Sequence, residues 1–317
     1  MPSRHLFVRV CTCIVASCFL LAPGAIAHGV VGKRLFIEPL ITEDANPKNE
    51  LDFPILEIIQ TPAGHLIGFN YSFEKKLFPG FSVSFDNSVV SFAPNGQSSI
   101  LGFGNIGFGA KYALYSNASH EFIFSPAFHV EAPTGNTRLG ADSFTTLTPS
   151  LTYAKGFGDL PARGVLNWLR PFALQGDFAA DFPAGAGPSA GTAKVPHVDA
   201  VVEYSIPYFN AFVRHADTKY SLGDGGFRMG SSIGAIAGDL FPFVEFNFSW
   251  VPVNQGNGLR PQGYLRPGVV YVGHRFEIGG AAELPANNFT GRSPGGMLIL
   301  DLFIDDVFPK LGRMIHK

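Results

Sequence analysis

Charge is scarce in this chain: Lys, Arg, Asp and Glu make up 15% of 317 residues, where an ordinary soluble domain carries about 25%. So little charge cannot comfortably clothe a soluble protein of this size. The formal net charge of -2, with no basic stripe among aromatics, gives no footing for nucleic acid. Cysteine is confined to Cys11, Cys13 and Cys18, so no disulfide framework can hold the rest of the chain. Beyond Ala27 there is no apolar run near the ~18 to 20 residues that a spanning helix needs. If the later chain enters a membrane, it enters as strands.

What is abundant is Phe, 31 residues, and Gly, 37 residues, against two Trp and four Met. That mixture favours strands and turns over helices. The opening "MPSRHLFVRVCTCIVASCFLLAPGAIA" has basic residues, an apolar run and a small-x-small ending. It reads as a signal peptide, residues 1–27, cut after Ala27. A rival lipoprotein reading rests on Val15-Ala16-Ser17-Cys18, although the apolar run continues past that cysteine.

Period-two alternation then recurs along the chain. Ile106, Phe108, Ala110, Tyr112 and Leu114 oppose Asn105, Gly107, Gly109, Lys111 and Ala113. Phe122, Phe124, Phe128 and Val130 oppose Ser125, Ala127, His129 and Glu131, and Phe172, Leu174 and Phe178 oppose Gln175, Asp177 and Asp181. The final run sets Leu298, Leu300, Leu302 and Ile304 against Ile299, Asp301, Phe303 and Asp305. These runs approach the ~9 to 11 residues that carry a tilted strand across a bilayer, and their second face is small, polar or acidic. The aromatic phase is therefore expected to face lipid and the other phase a lumen. A soluble sandwich with the aromatics as its core is the competing reading.

A sheet in hydrocarbon must close, so the expected fold is all-β: a transmembrane antiparallel up-and-down barrel of about 12 strands, within a range of 10 to 14. Expected starts lie near Asp52, His65, Phe81, Leu101, Glu121, Thr146, Leu169, Val198, Phe241, Leu265, Arg275 and Met297. Residues 207–236 leave room for two more strands. The expected organisation is a barrel over 52–308, a tail over 309–317, and an arm or plug over 28–51, where alternation is missing and two prolines occur.

The acids fall on the inward phase. The expected pore-lining residues are Glu74, Asp86, Lys111, Glu131, Asp177, Asp181, Asp199, Glu203, Glu245, Glu277 and Asp301, with Glu283 and Asp305 in the same phase. An open lumen of this kind favours cations, while salt-bridged packing would simply fill it.

Several stretches resemble a known family: "HGVVGKRLF", "VEAPTGN" at 130–136, "KGFGDLP" at 155–161, "LQGDFAADFP" at 174–183, "EYSIPY" at 203–208 and "PGVVYVGHRFEIGGAAELPAN" at 267–287. Together they resemble the outer-membrane barrels grouped with phenol meta-pathway degradation. The resemblance implies a bacterial outer-membrane, transporter-like channel for small molecules, aromatic or hydrophobic ones among them. It also implies outer-membrane lipid, a small-molecule permeant and the barrel-assembly machinery as partners. Barrels of this compartment commonly end on an aromatic residue, whereas "PKLGRMIHK" follows Phe308 here.

Other chemistry finds little support. "GFGNIG" at 102–107 matches a dinucleotide fingerprint in letters, but alternating strand follows it where a helix is required. No His or Cys spacing marks a metal site, His28 included, and no cofactor is implied. An embedded hydrolase would need a Ser beside a His and an acid; Ser125, His129 and Glu131 share a phase, which any strand produces cheaply. A closed structural or lipid-binding barrel is the alternative to a channel.

Overall fold

A computed structural model describes residues 29–61, 63–185, 194–215, 221–223, 226–228, 239–252, 259–273 and 275–304. Twelve antiparallel strands close one barrel, each bonded to its neighbours in sequence and the last to the first. They are β1 (Glu50–Thr61), β2 (Gly64–Phe78), β3 (Phe81–Pro94), a broken β4, β5 (Phe122–Ala132), β6 (Thr145–Gly156), β7 (Phe172–Ala184), β8 (Val195–Tyr204), β9 (Leu240–Pro252), β10 (Leu259–Val272), β11 (Phe276–Pro285) and β12 (Gly295–Phe303). Strand β4 runs in three pieces, Ile100–Phe103, Ile106–Tyr112 and Tyr115–Asn117; the first two lie along β3 and the last two along β5. Closure lies in the ladder from Gly295 opposite Ile59 to Phe303 opposite Glu50.

The alternation decides sidedness. Ile67, Phe108, Phe128, Leu151, Phe178, Val269, Ile278 and Leu298 are all exposed on the outer wall, while their neighbours Lys111, Ser125, Thr152, Asp177 and Asp301 are buried within. A sandwich would have done the reverse, pressing its aromatic phase together. Outward rings meet across strands, Phe53 with Phe69 at 5.3 Å, Phe85 with Phe108 at 5.5 Å and Tyr153 with Phe178 at 6.0 Å. Strand lengths run from 9 residues in β12 to 15 in β2, enough to cross hydrocarbon at a tilt.

Three expectations are corrected. The strand expected from Leu169 starts at Phe172, because Gly164–Leu169 forms a helix, α1. Residues 207–236 add no barrel strand among the described residues: Ile206–Val213 is helical, and Ser221–Gly223 with Gly226–Arg228 makes a separate two-stranded hairpin. Ile304 is not on the outer wall; it lies past β12, buried, with its N–H donating to the Asn49 carbonyl at 3.1 Å. The signal-like residues 1–27, Asp305 and the tail over 309–317 lie outside the described residues.

The glycines of "GFGNIG" serve the packing of the wall. A Cβ on Gly107 would run into the carboxylate of Asp86 and the imidazole of His129, and one on Gly104 into the Ser88 hydroxyl. Side chains from neighbouring strands thus cross over these positions inside the barrel, where only Gly leaves them room.

Candidate functional site: a threaded lumen beneath an acidic vestibule

Residues 29–49 lie inside the barrel, at the end where β1 begins and β12 finishes. Val30–Val31 and Arg34–Leu35 form a small hairpin turned at Gly32, whose φ of 64° and closeness to the Ala118 carbonyl exclude a side chain. The segment buries apolar residues against two walls. Val30, Leu35, Ile37 and Leu40 pack on the inward Val201, Phe241, Phe243, Val270, Val272, Met297, Ile299 and Phe303. Val31, Phe36 and Ala45 pack on Ala113, Ile123, Ala154 and Ala173. Each fully buried Leu, Ile or Phe here contributes about 1.5 to 3 kcal/mol.

Beyond Leu35 the segment adds no strand to the wall, and its polar backbone is satisfied by side chains. Ile37 N–H donates to Glu203 at 3.2 Å and Glu38 N–H to Glu277 at 3.0 Å. Leu40, Ile41 and Thr42 N–H groups and the Thr42 hydroxyl all converge on the Glu245 carboxylate at 2.6 to 3.1 Å. Glu43 N–H donates to Asp177 at 3.0 Å and Lys48 N–H to Glu74 at 3.0 Å. Ser125 Oγ donates to the Ala45 carbonyl at 2.5 Å, and Gln175 Nε2 to the Ile37 carbonyl at 2.9 Å. Bonds to ionised carboxylates are the stronger kind, so the inward acids act as anchors for the threaded chain.

Two buried cations pin the segment. Arg34 Nε meets Glu121 at 3.3 Å, Nη1 donates to the Pro171 carbonyl at 2.9 Å and Nη2 to the Arg170 carbonyl, and the guanidinium lies 4.1 Å from the Tyr208 ring centre. Lys48 pairs with Glu38, with Glu50 at 2.8 Å and with Asp44 at 3.7 Å. Burial pushes the Asp44 carboxyl up to about 7, against the opposing pull of Lys111. For Lys48 burial works to lower the ammonium, but Glu50, Asp52 and Asp301 outweigh it and hold it above its ordinary value.

Over this floor sits a vestibule of about 470 Å³. Eleven carboxylates line it, against Lys48, Lys111, His129 and His197. Lys111 Nζ bridges Glu43 of the floor at 2.7 Å and Glu74 of the wall at 3.3 Å. His129 Nε2 lies 2.8 Å from Asp86, and His197 Nε2 2.7 Å from Asp181, which also accepts from Thr148 Oγ1 at 2.6 Å. Asp142, from the loop between β5 and β6, reaches the vestibule, where burial and then Asp181 raise its carboxyl.

The expected lining residues therefore separate into two groups. Asp86, Glu131, Asp177, Asp181, Asp199, Glu74 and Lys111 reach the vestibule, with Glu131 accepting from Asn105 at 2.7 Å and Asp177 facing Asp199 across the β7–β8 ladder. Glu203, Glu245, Glu277 and Asp301 lie buried below it; the first three hold the threaded segment, and Asp301 stands beside Asp52 and Glu277 in register. Residues that sequence reasoning passed over are Glu38, Glu43, Asp44 and Lys48 on the segment and Asp52 on the wall. A clue was available in their crowding within "IEPLITEDANPKNELD", too many charges for a stretch that also carries Leu and Ile unless it meets an equally charged wall.

Ser125, His129 and Glu131, which share a strand phase, do not converge. Ser125 is fully buried on Ala45, and His129 turns to Asp86. Ser249 Oγ does reach His197 Nδ1 at 2.7 Å, giving a Ser249–His197–Asp181 chain. Ser249 lies in the wall itself, opposite His197 on β8 and Gln262 on β10. No cluster of three His, Cys, Asp or Glu suited to a metal ion occurs among the described residues.

No family model and no curated protein matches the chain. Among solved structures it is similar to an outer-membrane channel from Pseudomonas putida F1, at 9% identity and a TM-score of 0.53, over 84% of this chain and 99% of that one. The NanC porin aligns at 9% identity with a TM-score of 0.46, over 80% of this chain and 98% of that one. At such identity the shared property is the fold, and this chain has that of an outer-membrane β-barrel.

Proposed function

We propose that the protein is an outer-membrane channel for small molecules whose lower lumen is closed by its own residues 29–49. The observation that carries this reading is the manner of closure: beyond Leu35 the segment is held by side-chain acceptors and packing, while the twelve-strand ladder closes without it. A segment so held can leave without breaking one wall hydrogen bond. The acidic vestibule favours cations once the lumen is open. Permeants that are aromatic or hydrophobic, and a place beside the phenol meta-pathway barrels, rest on the turn and strand-end stretches such as "VEAPTGN" and "KGFGDLP". Export with cleavage after Ala27, insertion by the barrel-assembly machinery and residence in outer-membrane lipid belong to the same reading.

Planar-bilayer recording tests it. The full chain is expected to pass little current, and the protein lacking residues 29–48 to show stepwise, cation-preferring conductance. A folded, deleted barrel that stays silent would favour the second reading, a closed structural or lipid-binding barrel, for which the two packed walls around the segment speak.

A further inference from the structure

The connection from β6 to β7, residues 157–171, contains α1. A hairpin needs only a few residues, so this loop is longer than closure demands. It is also apolar in the wrong place for a loop in water. Of the six residues of α1, Val165, Leu166, Trp168 and Leu169 are all exposed, Val165 at 79% and Trp168 at 59%, and the helix buries none of its residues. Helices that face water put polar groups there, and a contiguous apolar surface marks an interaction site.

The patch is continuous with the lipid-facing wall. Trp168 lies 5.4 Å from Phe209, Phe209 lies 6.1 Å from Tyr204, and Tyr204 stacks edge-on to Phe172 at 4.9 Å. Phe172 and Tyr204 belong to the outward phase at the ends of β7 and β8. The one acid of this loop, Asp159, is paired with His120 and Lys155, and from there on the charge is basic. Residues 161–175 contain Arg163 and Arg170 and no acid. Arg170 braces the loop, donating to the Gly158 carbonyl at 3.1 Å and to Asn167 at 3.4 Å, while Arg163 is exposed just ahead of the helix.

We propose that α1 is an interfacial anchor, seated in the headgroup region of an anionic phospholipid leaflet beside the end of the barrel where both described termini lie. Trp168 and Leu169 enter the acyl boundary, and Arg163 meets lipid phosphate. Tryptophan is favoured at that depth, and short apolar faces with basic flanks bind there. The inference rests on the barrel fold and not on the channel reading.

The chain has two tryptophans, so Trp250→Phe leaves Trp168 as sole reporter. In phosphatidylethanolamine vesicles containing phosphatidylglycerol, bromine on the acyl chain close to the headgroup is expected to quench Trp168 by roughly half, and bromine at mid-chain by less. Arg163→Gln, or omission of phosphatidylglycerol, is expected to increase quenching by aqueous acrylamide. Trp168 emission typical of water, with full acrylamide quenching and no response to brominated lipid, would overturn the proposal. Should Trp250→Phe fail to fold, a nitroxide on Val165→Cys gives the same reading through its collisions with oxygen and with a water-soluble relaxer. Val165 as accessible as a loop tip would again overturn it.

Discussion

The two halves of the lumen use the same residue type at the same phase of their strands for different ends. In the lower half Glu203, Glu245 and Glu277 accept backbone N–H groups from a segment packed between apolar walls. In the upper half Asp86 and Asp181 are matched by His129 and His197, and Asp177, which still receives the Glu43 N–H, stands beside Asp199 in the β7–β8 ladder on the vestibule wall. A carboxylate inside a barrel is thus defined by what reaches it. Where a threaded chain arrives, it is an anchor, and where none does, as at Asp86 and Asp181, it pairs with a wall histidine. Buried carboxylates left without a partner would be costly, which explains why the lower acids and the segment belong together.

The contrast can be sharpened by experiment. Replacing Glu245 with Leu strips acceptors from three N–H groups and one hydroxyl at once. Unpaired donors cost about 1 to 3 kcal/mol each, so docking of the segment is expected to weaken by about 3 kcal/mol or more. Protease cleavage within residues 38–48 should then rise about a hundred-fold, and unchanged protection would deny Glu245 its anchoring role.

The upper half should respond differently. Asp177→Asn with Asp199→Asn, placed in the protein lacking 29–48, is expected to lower cation over anion preference roughly two-fold, read from reversal potential in a salt gradient, with little change in stability. An unmoved reversal potential would take these two residues out of the conducting path.

The smallest effect lies outside the lumen. Asp159, in the loop before α1, meets His120 at 2.9 Å and Lys155 at 3.0 Å. Burial works to raise its carboxyl, but the bonds from His120 and Lys155 prevail and hold it below the ordinary 3.8. Its stabilisation is therefore complete above that value and is lost as pH falls through the lower folded-state value. Asp159→Asn should cost less than about 1 kcal/mol at neutral pH. The difference from the parent in thermal melts should vanish in strong acid; a gap that widens there would reverse the assignment.

The wall was legible because its rule is local. Phe108 and Lys111 announce opposite faces by parity alone, and of the twelve acids and one lysine expected inside, all are inside or on the vestibule wall save Asp305, which lies outside the described residues. The threaded segment was not legible, because its anchoring groups are backbone N–H donors that every residue but proline has. "IEPLITEDANPK" shows no period, and only its crowding of charge among Leu and Ile hints at a charged wall around it. Helix α1 was missed for the opposite reason: "VLNWL" reads as the apolar start of the next strand, and only the placement of β7 from Phe172 reveals it as a separate exposed element.

Residues 29–49 occupy the barrel, and proximity across the lumen can be captured chemically. Thr42 Oγ1 lies 3.3 Å from Asn247 Nδ2, and the chain has no cysteine after Cys18. Thr42→Cys paired with Asn247→Cys should therefore form a disulfide under mild oxidation in membranes, seen as a shift in gel mobility, while Thr42→Cys paired with the outward Leu298→Cys should form none. Absence of the first crosslink in folded protein, or equal yield from both pairs, would contradict the account.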